Sequence, residues 1–357
     1  MNNTLAPTGL QTPDSRLKDF IGRLMRREDL SRTEAHDLLD ALLDGEATDG
    51  QIAATLIALK LKGETVEELT GLAEGMRARA VRIRSRHERF IDTAGTGSSA
   101  AKCFNVSTAA AFVIAGAGLP VAKHGNRAAS SKCGSADVLS ALGVNVSVAP
   151  EVSQTCLNEL GICFMFAPLY HGATARVAGI RRQLGVQTTF NLLGPLTNPA
   201  GAPRQIIGVS NRDFVEKLAS ALSLLGTERA WVVHGADGLD EVTLADTTFV
   251  AEASEGRVRT FEIAPEDFGI QRELLYGLAG QSTEENAATV RNVLSGQRRD
   301  AARTLVMLNA AAALHVGGSA TDLKEGVRMA EESIDGGSAL EKLNGLARMT
   351  NVAACSS

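Results

Sequence analysis

From residue 16 to 80 the apolar positions recur at helical spacing, in three runs that each begin with a hydroxyl followed three residues later by an acid or amide. Ser31-x-x-Glu34, Thr48-x-x-Gln51 and Thr65-x-x-Glu68 have the form of capping boxes, whose side chains satisfy the orphan N–H groups of a helix start. Leu38, Leu39, Leu42 and Leu43 share one face, as do Ile52, Leu56, Leu59 and Leu61 with small slippage, which predicts a bundle of short helices. From about Phe90 the pattern changes to brief apolar runs between helical stretches: Val121-Ala122, Val144-Asn145-Val146, Phe164-Met165-Phe166, Ile206-Ile207-Gly208-Val209 and Ala230-Trp231-Val232-Val233. That alternation predicts a mainly parallel sheet with helices on its faces. The expected fold class is α/β, with a small all-helical N-terminal domain and a large α/β domain.

Within the α/β part, Ile91 to Gly143 concentrates what a polyanion requires of a protein. The turn Asp92-Thr93-Ala94-Gly95-Thr96-Gly97-Ser98-Ser99 has two glycines that let several backbone N–H groups converge on one anion. Asn105-Val106-Ser107-Thr108 opens an alanine-rich helix whose free N–H groups and positive dipole end face the same region. Leu119-Pro120-Val121-Ala122 reads as a buried strand delivering Lys123, His124, Asn126 and Arg127 at the sheet's C-terminal edge, where open α/β sheets place ligands. A second small-residue loop, Ser130 to Asp137, leads into a helix that Gly143 ends. The ligand class this predicts is a phosphorylated sugar. Taken alone, Gly95-Thr96-Gly97-Ser98-Ser99-Ala100 also fits a dinucleotide fingerprint, but such a fold gives the Lys-His-Gly-Asn-Arg run no task.

The 357-residue chain carries 36 basic and 41 acidic residues, a net charge of −5. This disfavours nucleic acid and membranes as partners while leaving room for a local basic pocket. Cysteines 103, 133, 156, 163 and 355 are odd in number and lack zinc-type spacing, so free thiols in a reducing, cytoplasmic setting are expected. No apolar run reaches the roughly eighteen residues of a membrane span. Residues 1–15 read as a disordered lead.

The run Ala122-Lys123-His124-Gly125-Asn126-Arg127, the following Ser131-Lys132-Cys133-Gly134-Ser135-Ala136-Asp137-Val138-Leu139, and the later Phe190-Asn191-Leu192-Leu193-Gly194-Pro195-Leu196-Thr197-Asn198-Pro199 resemble the anthranilate phosphoribosyltransferase family of tryptophan biosynthesis. The resemblance runs from about residue 18 to 350. It implies transfer of a 5-phosphoribosyl group from phosphoribosyl pyrophosphate to the amine of anthranilate or a related aromatic acid, with Mg2+, by a homodimer joined through the helical domain. The implied division is a helical domain of residues 16–86, joined by helices from about 172–198, and a donor-binding α/β domain of residues 87–171 and 199–357.

On this resemblance Gly95, Thr96, Gly97, Ser98, Ser99, Asn105, Ser107, Thr108, Lys123 and Ser135 bind the donor, and Asn126, His171 and Arg181 the acceptor. Ser107, Asp240 and Glu241 hold the metal. The chemistry suits those types: a guanidinium clamps a carboxylate in two parallel bonds, and Mg2+ takes hard oxygen ligands. An aromatic amine is neutral at pH 7 and needs positioning more than a base, so none is assigned. Of Arg176, Arg181 and Arg182, two are expected on a solvated face. The chain departs from the family where Gly97-Ser98-Ser99 replaces Gly-Gly-Asp, at Lys102-Cys103, and at Gly172-Ala173-Thr174 after His171. A paralogue for another aromatic acid and a pyrimidine nucleoside phosphorylase-like enzyme of the same architecture stay open.

Overall fold

The computed structural model describes residues 14–97, 103–127, 133–275, 277–280 and 282–352. Four helices come first: α1 (Ser15–Met25), α2 (Arg32–Leu43), α3 (Asp49–Lys62) and α4 (Val66–Arg79). All three expected capping boxes form, at the starts of α2, α3 and α4. Asp14, placed by the sequence in the disordered lead, is instead the buried cap of α1; the Gln51 side chain bonds both its N–H and its carbonyl. The rest of that lead lies outside the described residues. Ile52, Leu56 and Leu59 are buried at i, i+4 and i+7, whereas Leu61 is 73% exposed because a two-residue step turns it to the far side of α3.

Seven strands form one sheet: β1 (Ile91–Gly95), β2 (Val121–Gly125), β3 (Ile162–Phe166), β4 (Arg204–Gly208), β5 (Arg229–Gly235), β6 (Thr248–Ser254) and β7 (Arg257–Ile263). Their order is β3-β2-β1-β4-β5-β6-β7; the first five in that order run parallel and the last two antiparallel. Asp92 to Gly95, read from sequence as the start of a turn, therefore continues a strand. The expected strand at Val144–Val146 does not form. Its two valines are buried, but Thr350 Oγ1 accepts from the Asn145 N–H and Asn145 Oδ1 from the Ser147 N–H, so side chains meet the backbone's needs without a ladder.

The remaining helices are α5 (Val106–Gly116), α6 (Ser135–Ala141), α7 (Pro150–Thr155), α8 (Ala167–Tyr170), α9 (Ala175–Leu184), α10 (Phe190–Leu196), α11 (Asp213–Leu224), α12 (Thr283–Leu294), α13 (Ala301–Val316), α14 (Leu323–Asp335) and α15 (Ser338–Val352). Strand alternation separates two cores. Ile206, Trp231 and Val233 face α5 and α13, while Ile207, Val209 and Val232 face α11 and a layer continuous with α1–α4, α9 and α10. Helices α5 and α13 are mostly apolar and almost wholly buried, so they form an inner layer rather than a surface one. Gly116 at the end of α5 sits where a Cβ would lie 2.3 Å from Ser333 Oγ and 2.7 Å from the Ala339 nitrogen. No helix among the described residues is long and apolar enough to cross a membrane.

Candidate functional site

The strand order reverses between β1 and β4, and a cavity of about 530 Å³ opens over the C-terminal ends of these strands. Of the expected donor residues, Gly95, Thr96, Gly97, Asn105, Ser107, Thr108, Lys123 and Ser135 line it; Ser98 and Ser99 lie outside the described residues. The start of α5 lines this space, where Glu241 Oε1 accepts from its Ser107 N–H and the Phe104 and Asn105 carbonyls from its Val106 and Thr108 N–H groups. Thr108 Oγ1 is buried and has no hydrogen-bond partner among the described residues.

Beneath the cavity lies a buried polar network. Lys123 Nζ donates to the Thr93 carbonyl, to Thr93 Oγ1 at 3.1 Å and to Ser107 Oγ at 3.4 Å. Burial lowers its pKa, and the charges of Asp92 and Glu241 oppose that shift. Asp92 accepts from the His124 N–H at 3.1 Å and from Asn198 Nδ2 at 2.7 Å, and Asn198 Nδ2 also donates to the Ala122 carbonyl. Burial outweighs these bonds and the lysine, pushing the Asp92 carboxyl up to about 6. One asparagine of the Leu-Thr-Asn-Pro run thus ties β1 to β2.

The expected metal residues come together. Glu241 Oε1 accepts from the Ser107 N–H at 3.2 Å, and Asp240 and Glu241 line the cavity side by side. Burial first, then the neighbouring Asp240 charge, raise Glu241 well above the usual carboxylate range. Gly208 makes the approach possible, since a Cβ there would lie 1.7 Å from the Asp240 carbonyl oxygen. Two hard carboxylates under mutual repulsion, with a hydroxyl beside them, fit a divalent cation such as Mg2+. Cys103 also lines the cavity, where burial and the carboxylates of Glu241, Asp237 and Asp240 push its thiol up to about 12 and favour the protonated form.

One wall holds Arg181 of α9 and Phe190, Asn191, Gly194 and Pro195 of α10, and Asn126 lines the same cavity. Arg181 has no acidic partner among the described residues; burial alone lowers its pKa. Arg176 instead pairs with Asp49 at 2.8 Å and Arg182 is exposed, matching the expected division of the three arginines. His171 does not line the cavity. It is buried behind His124, with ring centroids 5.2 Å apart. Burial drives His124 down to about 3 and His171 to about 4, so both are neutral; His124 Nδ1 donates to the Gly194 carbonyl at 3.1 Å. Arg127 pairs with Asp137 at 2.9 Å and holds the shape of its turn.

Comparison with known proteins bears on this arrangement. Residues 18–80 match the glycosyl transferase family's helical bundle domain and residues 87–340 its a/b domain. An anthranilate phosphoribosyltransferase from Moorella thermoacetica is 50% identical over 330 residues, 92% of this chain and 97% of its own length. The chain belongs to the anthranilate phosphoribosyltransferase family. Among solved structures, the family's enzyme from Thermus thermophilus superposes with a TM-score of 0.87 at 40% identity, covering 93% of this chain and 99% of that one. The Saccharomyces cerevisiae enzyme in complex with phosphoribosyl pyrophosphate and Mg gives 0.86 at 28% identity, covering 95% and 99%. These likenesses favour this family over the nucleoside phosphorylase alternative.

For a member of this family, four residues around the cavity escaped the sequence reading. Asp92 was legible in principle, as a lone acid inside an apolar strand. Asn198 and Asn191 stood in a recognised run without a chemical task, and Asn286, which lines the cavity from α12 and is 5% exposed, gave no local signal.

Proposed function

We propose that the chain transfers the 5-phosphoribosyl group of phosphoribosyl pyrophosphate to the amine of anthranilate, forming N-(5-phosphoribosyl)anthranilate and pyrophosphate, as a step of tryptophan biosynthesis. One observation carries this reading. A single cavity joins a floor of amides and hydroxyls and a carboxylate pair to a buried guanidinium with no acidic partner among the described residues. The first suits a diphosphorylated pentose, the last an aromatic acid.

The Gly95–Gly97 turn, the start of α5, Thr108 and Ser135 receive the donor phosphates, and Lys123 adds positive charge from below. Asp240, Glu241 and Ser107 would hold Mg2+, which when bound neutralises charge on the departing pyrophosphate. Arg181 grips the acceptor carboxylate and Asn126 lies between the two substrates, so the neutral amine faces the anomeric carbon. Its lone pair forms the new C–N bond while the C–O bond electrons leave with pyrophosphate, and the departing pyrophosphate takes the proton that the amine then sheds. Burial makes His124 and His171 weak bases, so orientation and leaving-group stabilisation supply the rate. His171 supports the acceptor side from behind His124.

Loss of anthranilate fluorescence with phosphoribosyl pyrophosphate and Mg2+, with product mass as a second readout, tests the reaction; no turnover by folded protein refutes it. Arg181→Ala should raise the anthranilate KM on the order of tenfold to a hundredfold and leave the donor KM nearly unchanged. Equal effects on both substrates contradict the clamp. Described cysteines 103, 133, 156 and 163 are free, which suits a reducing cytoplasm. A homodimer through the helical domain would cover Met25 and Leu61, 74% and 73% exposed. Replacing both with glutamate should then give a monomer in sedimentation.

A further inference from the structure

Arg181 presents a question the clamp does not answer: what holds a buried cation in place without neutralising it. Its guanidinium rests 5.5 Å from the centroid of Phe190, its Nε is buried without a partner among the described residues, and NH2 donates to Asn191 Oδ1 at 3.1 Å. The same Oδ1 accepts from the Thr188 backbone N–H at 3.1 Å, and two donors on one atom fix the amide's orientation. Thr188 and Thr189 are fully enclosed, and Thr189 Oγ1 donates to the buried Glu64 at 2.6 Å, which pins this segment to the loop between α3 and α4.

We propose that Asn191 is the positioning residue for Arg181, and that its amide holds the guanidinium without cancelling the charge that selects an anionic acceptor. This rests on the role given to Arg181 above. An amide oxygen can take both N–H groups as a carboxylate would, yet it brings no counter-charge. The guanidinium therefore keeps most of its donors and its full charge for the substrate.

The two natural replacements separate this role from a structural one. Asn191→Asp keeps an acceptor for both N–H groups, so a purely structural asparagine predicts near-normal behaviour for Asp and damage for Ala. Positioning without neutralisation predicts damage from both replacements and the greater damage from Asp. Asn191→Asp should raise the anthranilate KM on the order of tenfold or more, beyond the effect of Asn191→Ala, with the donor KM and thermal melting close to the parent's. In an Arg181→Ala background neither replacement should add to the loss.

Steady-state kinetics of the parent, the three single variants and the two double variants, with anthranilate and phosphoribosyl pyrophosphate each varied, decide the matter. Should Arg181→Ala leave the anthranilate KM unchanged, the clamp itself fails. Should Arg181→Ala raise it while Asn191→Asp behaves as the parent does, only the role of Asn191 falls. Equal rises in both KM values for Asn191→Asp also overturn it.

Discussion

The floor of the cavity and its acceptor wall solve opposite problems. Under the floor, Asp92 accepts from Asn198 and the His124 N–H while Lys123 bonds Thr93 and Ser107 and offsets the Asp92 charge through space, so charge is buried but matched and the geometry belongs to the sheet. On the wall, Arg181 sits near the end of a helix, joined by one side-chain hydrogen bond to α10 and by no carboxylate among the described residues. A preformed floor is suited to a ligand whose shape never varies. An electrically unfinished wall stores its binding strength for whichever carboxylate completes it.

The sharpest way to break the floor is Gly208→Ala. A methyl 1.7 Å from the Asp240 carbonyl oxygen must displace the turn bearing both carboxylates. Turnover should fall on the order of a hundredfold or more, with a higher Mg2+ requirement; parental magnesium dependence would show that the turn does not need this approach. Lys123→Met comes next. It strands Asp92 without its counter-charge and should cost about 3 kcal/mol of stability, read from urea unfolding, while lowering turnover. An equally stable variant would mean that Asp92 is already protonated in the folded state.

The buried histidine pair answers to pH. His171 titrates near 4 folded against 6.5 unfolded, so the unfolded chain takes a proton that the folded one refuses. Its contribution is complete above about pH 6.5 and is lost as pH falls toward 4. His124 acts in the same direction, whereas Asp92, raised to about 6, regains stability over part of that window. His171→Asn should flatten the acid slope by about 1.4 kcal/mol per pH unit at most. Unfolding curves between pH 4.5 and 7 measure this, and an unchanged slope would place His171 in water. The smallest effect is expected from restoring glycine and aspartate at Ser98 and Ser99, which should shift donor or magnesium dependence modestly. Activity appearing only after the swap would mark the natural loop as inactivating.

What the chain disclosed in advance divides along physical lines. The caps at Ser31, Thr48 and Thr65 were legible because each is settled within four residues, and the glycine and hydroxyl loops because backbone N–H convergence leaves a compositional trace. Val144–Val146 misled because buried valines mark burial, not pairing. Strand β7 was missed because it is largely exposed, with arginines at 257 and 259 where an apolar run was sought. Asn191 and Asn198 act through partners 3 to 106 positions away, distances over which a pattern of residue types carries no geometry.

The crowding around Gly116 bears on how this scaffold can change its substrate. The end of the donor-side helix is locked against Ser333 and Ala339 with no space for one more methyl group. New acceptor chemistry is therefore expected from the cavity-lining positions of α9 and α10, which lie outside that inner layer. A library restricted to that wall should yield altered specificity from folded members, whereas one aimed at the alanine helices should yield mostly insoluble protein.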